Sequence, residues 1–141
     1  MTLWVIDASV VIKWFVPEGD FAAARAMRTT ETRLAAPDLL FAEISNILWK
    51  LVRRGEMAAP RAMEISEEIA GSPFVTFTNQ SLAKDALDLA VATGLSAYDA
   101  SYVALAMRID KIFITADQKL VHKIRGTPSA SRVQLLADYT N

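Results

Sequence analysis

Two short apolar runs, Leu3-Trp4-Val5-Ile6 and Lys111-Ile112-Phe113-Ile114-Thr115, each lead into an aspartate, Asp7 and Asp117, that is followed by a helix-forming stretch. Runs this short, rich in β-branched and aromatic residues, suit strands rather than helices. Three further segments read the same way: Arg33 to Ala35, halted at Pro37; Phe74 to Phe77; and Val133 to Leu136. The stretches between them carry helical signals. Ser9 to Val16 predicts a short helix closed by Pro17, and Asp20 to Thr29 is rich in good helix formers. Asp38 is placed to cap a longer helix in which Leu40, Ile44, Ile47, Leu48 and Leu51 recur at helical spacing until Gly55. Pro60 suits the first turn of a helix ending at Gly71, and Gly94 stops another that runs from Ser81 to Thr93. Ser96 to Ile109 and Asp117 to Ile124 complete the set, with 126–131 expected as a loop. Strands alternating with helices predict an α/β fold: a parallel sheet of about five strands with helices on both faces. At 141 residues the chain is expected to form one domain, over 1–141.

Composition narrows the chemistry. With no cysteine there are no disulfides, no thiol nucleophile and no thiolate-bound zinc, which fits a reducing cytoplasm. A single histidine, His122, leaves no His-rich metal site, so any metal must be held by oxygen, which points to magnesium or manganese. The first residues carry no basic segment ahead of an apolar one, and no apolar run reaches the roughly 18 residues of a membrane span. A soluble cytoplasmic protein is expected. The net charge is −1, from 15 basic and 16 acidic residues. That excludes a broad basic face as the means of holding nucleic acid. The apolar fraction of 52% and mean hydropathy of +0.23 point instead to apolar surface covered by a partner or a second copy.

The acids carry the functional argument. Ligand sites in open parallel sheets lie beyond the carboxyl ends of the strands. Asp7 and Asp117 both occupy such ends, on one rim if their strands are parallel neighbours. Asp99 falls in the first turn of an otherwise apolar helix, and Glu43 at the flank of an apolar stripe, in line with Asn46 and Lys50. Clustered carboxylates repel one another, and a divalent cation is what keeps them ionised together. Each acid also fits an ordinary structural role. Ser96-Ala97-Tyr98-Asp99 matches a capping box, Asp117 an N-cap, and Glu43 a solvated helix position. Asp7 has the least room for one, because an acid ending a buried strand needs a partner.

These segments resemble the PIN-domain ribonucleases, and most closely the VapC-type toxins of toxin–antitoxin pairs. The matching motifs are Val5-Ile6-Asp7-Ala8-Ser9 with the following 10–15, Pro37-Asp38-Leu39-Leu40-Phe41-Ala42-Glu43-Ile44-Ser45-Asn46, Leu95-Ser96-Ala97-Tyr98-Asp99-Ala100-Ser101-Tyr102, and Thr115-Ala116-Asp117-Gln118-Lys119-Leu120. The resemblance implies a three-layer α/β/α fold and an acidic quartet of Asp7, Glu43, Asp99 and Asp117 that binds magnesium or manganese. It further implies supporting roles for Ser9, Asn46 and Thr115 beside the acids or the scissile phosphate. As activity it implies a metal-dependent endoribonuclease, as partners a cognate antitoxin and RNA, and as assembly a homodimer.

Backbone contacts to RNA would come from Lys13, Lys50, Arg53, Arg54, Lys119, Lys123 and Arg125, with Trp4, Trp14 or Trp49 available to stack on bases. Three other functions compete. An aspartyl-phosphate phosphatase also places an acid after its first strand, but wants a second acid where Ser9 stands. A non-catalytic RNA-binding scaffold has no need for clustered acids. A housekeeping RNA-processing nuclease of the same fold would share the whole quartet.

Overall fold

A computed structural model describes residues 2–140. The chain begins in the middle of its sheet with β1 (Thr2–Ile6), turns through α1 (Ala8–Val11), and continues into a 3-10 turn at Ile12–Trp14. After α2 (Phe21–Ala26) come β2 (Thr32–Pro37), the long α3 (Leu39–Arg53), α4 (Ala59–Ala70) and β3 (Val75–Phe77). Next come α5 (Asn79–Thr93), α6 (Ala97–Arg108), β4 (Ile112–Thr115), α7 (Gln118–Lys123) and β5 (Val133–Leu135). The five strands are parallel, in the order β3-β2-β1-β4-β5. The expected loop at 126–131 contains a 3-10 turn over Pro128–Arg132, because Pro128 presets the backbone for a tight turn.

Consecutive strand residues point to opposite faces. Val5 and Ile6 in β1, and Phe113 and Ile114 in β4, are all completely buried, so both faces of the sheet are covered. The resulting layers are the α/β architecture read from the alternation of elements. On one side α6 lies against β1, β2 and β4 and against α5. Every residue of α6 from Ala100 to Ala106 is buried. Small side chains at Ala100, Ser101, Ala104 and Ala106 let the helix pass close to its neighbours. Its one large polar side chain in that stretch, Tyr102, stacks on Phe113 with ring centres 5.5 Å apart.

One helix start differs from its expected form. Asp38 does not cap α3: its backbone is helical, and its carboxylate accepts from the Asn79 amide at 2.9 Å. The Leu39 N–H, left over at the start of α3, donates instead to Asn79 Oδ1 at 2.8 Å. The first turns of α3 and α5 therefore cap each other across the sheet edge. The Asn79 side chain also donates to Ser101 Oγ at 3.2 Å, which ties α6 into the same joint. Gly94 closes α5 in the left-handed conformation, φ +81°, where a side chain would be strained.

Candidate active site

The chain starts at the centre of the sheet, works outward to β3, then returns to β4 on the other side of β1. The reversal puts a crevice between the carboxyl ends of β1 and β4. Val5 pairs with Phe113 and Ile6 with Ile114, so Asp7, one residue beyond β1, comes level with Thr115. The two strands that end in acids are thus parallel neighbours.

Asp7 is buried, 8% exposed, and both of its oxygens accept hydroxyl protons. Ser9 Oγ donates to Oδ1 at 2.5 Å and Thr115 Oγ1 to Oδ2 at 2.6 Å, while the Ser9 amide donates to Oδ1 at 3.1 Å as the first cap of α1. The same two hydroxyls accept backbone protons from the β4–α7 turn: Ala116 N–H on Ser9 Oγ at 3.0 Å and Asp117 N–H on Thr115 Oγ1 at 3.1 Å. Ser9 and Thr115 therefore lock the first acid to the loop that carries the last one. Burial pushes the Asp7 carboxyl up to about 6, against the pull of the two hydroxyls, and nearby Glu43 adds to the rise.

Glu43 sits one turn into α3, half-buried, and accepts a 2.5 Å hydrogen bond from the Tyr102 phenol on α6. Partial burial raises its pKa, and the charge of Asp99 raises it further. Asn46, expected in a supporting role beside the acids, is exposed, and the side chain bonded to Glu43 is Tyr102. The sequence offered a signal for this. Tyr102 is a large polar residue in the middle of a helix that is apolar on nearly every side, and a buried phenol needs an acceptor.

Asp99 stands in the first turn of α6, where Ser96 Oγ caps its backbone amide at 3.1 Å. Burial, then the charge of Asp117, raises the Asp99 pKa against the opposing effects of Ser96 and Lys123. Asp117 caps α7, with Oδ1 accepting from the Leu120 amide at 3.1 Å. Capping does not remove Asp117 from the site, since this bond engages one oxygen of the carboxylate.

Electrostatically the four acids form a line of neighbours, Asp7 to Glu43, Glu43 to Asp99 and Asp99 to Asp117. Among the described residues no three acid or histidine side chains close tightly enough around one point to make a ready-built metal cage. The ion pairs among the described residues include none of the four acids. Three carboxyls shifted upward, beside a single lysine that lowers one of them, form a locus of uncompensated negative charge that a divalent cation could relieve.

The remaining candidates separate by exposure. Trp14 is buried, donating to Ala24 O at 2.9 Å and stacking on Phe74, and Trp4 packs edge-on against Tyr139. Only Trp49 among the tryptophans presents a largely open ring, 54% exposed, with the Arg53 guanidinium 5.3 Å from its centre. His122 is exposed on α7. Lys13 and Lys123 are turned to backbone carbonyls, Glu18 O and Gly94 O. A cleft of about 510 Å³ lined by Trp14, Arg28, Leu34 and Phe74 opens at the amino ends of β2 and β3, and none of the four acids lines it.

A parallel sheet whose central crevice is rimmed by carboxylates and braced by two hydroxyls defines a distinct class of α/β protein. The PIN domain family model matches residues 4–125, and the chain belongs to that family. Over 121 residues the chain is 34% identical to Ribonuclease VapC3 of Pyrobaculum aerophilum, covering 84% of this chain and 92% of that protein. Its fold is similar to the crystal structure of PAE2754 from Pyrobaculum aerophilum, with a TM-score of 0.70 and 25% identity over 96% of this chain and 85% of that one. It is also similar to VapBC-1 from nontypeable Haemophilus influenzae, with a TM-score of 0.64 and 13% identity over 97% of this chain and 100% of that one. At that identity the likeness speaks to the fold alone.

Proposed function

We propose that this chain is a magnesium- or manganese-dependent endoribonuclease that acts as the toxin of a toxin–antitoxin pair. The observation that carries the proposal is the line of four acids at the sheet's switch point, with no ion pair to any of them among the described residues. Carboxylate oxygens without counter-ions suit a hard divalent cation, and the residues present fit one. Asp7, Glu43, Asp99 and Asp117 would hold it. When bound, the ion supplies Lewis acidity to a phosphodiester and makes a water easier to deprotonate. The chain's own residues do the positioning. Ser9 and Thr115 fix the rotamer of Asp7 and the turn bearing Asp117, while Tyr102 fixes Glu43. The relationship to Ribonuclease VapC3 supports RNA as the substrate.

The partner assignments belong to the same proposal. A cognate antitoxin and a second copy of the chain would cover apolar surface, of which Leu87 and Val91 on α5 and Tyr98 at the start of α6 are exposed examples. An aspartyl-phosphate mechanism is disfavoured by the state of Asp7, whose burial and two hydroxyl partners leave it poorly placed to attack a phosphoryl group. The test is cleavage of a defined RNA pool. Cleavage is expected to stop with EDTA and return with magnesium or manganese. Full activity in EDTA would sink the metal assignment.

A further inference from the structure

The Tyr102 phenol lies among three of the four acids: Glu43, Asp7 and Asp99 all act on it electrostatically. It has one proton, and that proton goes to Glu43 Oε1 at 2.5 Å. Tyr102 is 1% exposed and stacked on Phe113, on a helix buried through seven consecutive residues, so its hydroxyl cannot follow a moving carboxylate. Glu43 is held from the other direction as well. Its helix starts one turn earlier at Leu39, whose amide is fixed by Asn79, and Asn79 is bonded in turn to Ser101 next to Tyr102. The distance between the α3 acid and the α6 phenol is thus set by two hydrogen-bonded links.

A carboxylate oxygen held by a rigid donor keeps a second lone pair but loses its freedom to swing. On the reading that the acids hold a divalent ion, we propose that Tyr102 is a positioning residue that pins Glu43 Oε1, so that the carboxylate cannot turn to present both oxygens to one ion and serves as a one-oxygen ligand. One-oxygen carboxylates suit the compact octahedral shell of magnesium and manganese. Calcium accepts a carboxylate through both oxygens and takes six to eight ligands. Tyr102 therefore selects for the smaller ions as well as bracing the acid.

The experiment is calorimetric titration of the full chain with magnesium and with calcium at about pH 8, well above the ordinary carboxylate range. It compares wild type, Tyr102→Phe, Glu43→Gln and the double variant. Tyr102→Phe keeps the ring stack and is expected to weaken magnesium about tenfold, the scale of other losses of ligand-supporting hydrogen bonds. Calcium binding should hold or tighten, so the magnesium-to-calcium preference falls by about tenfold or more. In the Glu43→Gln background the Tyr102→Phe change should leave that preference unaltered. A Tyr102→Phe protein with the wild-type preference, or one whose effect persists without Glu43, overturns the proposal while leaving the metal site standing. A wild-type chain that binds neither ion overturns the metal reading itself.

Discussion

Replacing Asp7 by asparagine should make the metal-free protein more stable while abolishing RNA cleavage. Burial raises the Asp7 carboxyl from 3.8 to about 6 in the folded chain. Folding therefore favours the protonated form, so the contribution of Asp7 to stability is complete below pH 3.8 and is lost as pH rises through about 6. At about 1.36 kcal/mol per pH unit of displacement, the loss at pH 8 comes to about 3 kcal/mol. Asparagine carries no charge and escapes that penalty. Its carboxamide can still accept from Ser9, but its NH₂ faces the Thr115 hydroxyl, which must turn around to accept, at about 1 kcal/mol. The net gain is about 2 kcal/mol at pH 8, or about 6 °C in melting temperature for a chain of this size. The assay is thermal denaturation in EDTA from about pH 4 to 8, the span over which Asp7 titrates. The gap between Asp7→Asn and wild type should close on acidification and reverse near the bottom of that range. Magnesium at about a hundredfold excess over its Kd should return about 2.7 kcal/mol to the wild type and little to the variant. A variant that melts below wild type at about pH 8, or a gap that ignores pH, would refute the reasoning.

Two further substitutions probe the bracing around the acids. Thr115→Val keeps the shape of a completely buried side chain but removes the donor to Asp7 Oδ2 and the acceptor for the Asp117 amide. It should raise the Asp7 pKa further and move the acid limb of the pH–rate profile upward, with activity falling about 10- to 100-fold; an unmoved acid limb would show that Thr115 does not tune Asp7. Asn79→Ala removes the partner of the Leu39 amide and of Ser101, and should cost about 1–2 kcal/mol in urea unfolding. Asn79→Asp, which keeps the acceptor, should recover part of that loss.

The layers of the fold were legible because burial on both faces of a strand leaves a continuous apolar run, as in Val5-Ile6 and Phe113-Ile114. Asp7 and Asp117 were legible because an acid directly after such a run stands where a parallel sheet opens its crevice. Pairwise joints between distant helices were not. Asp38 looks like a cap by local rules, yet its carboxylate accepts from the Asn79 amide, and Asn79, about forty residues away, takes a free amide at the start of α3, that of Leu39. Asn46 and Tyr102 show the same limit. Asn46 is the polar residue one turn from Glu43 in sequence, whereas Tyr102 reaches Glu43 only because α6 is pressed against the sheet beside α3. Helical periodicity identifies which face is buried, but not which side chain it meets.

The choice of bracing groups also bears on how the site works. A protein that needed only to keep four acids folded could set arginine or lysine against them, as this chain does with Arg108 and Asp85 or Arg28 and Glu68 at its surface. At the crevice it uses Ser9, Thr115, Tyr102 and Ser96, which can donate a proton without adding positive charge. A cationic partner would stabilise the carboxylates and at the same time repel a metal ion. Neutral hydroxyls orient the oxygens and leave the negative potential in place, at the expense of stability in the empty protein. Burial raises the Asp7, Glu43 and Asp99 carboxyls and neighbouring acids raise them further, so the same charge that costs the metal-free protein stability is what a cation would relieve.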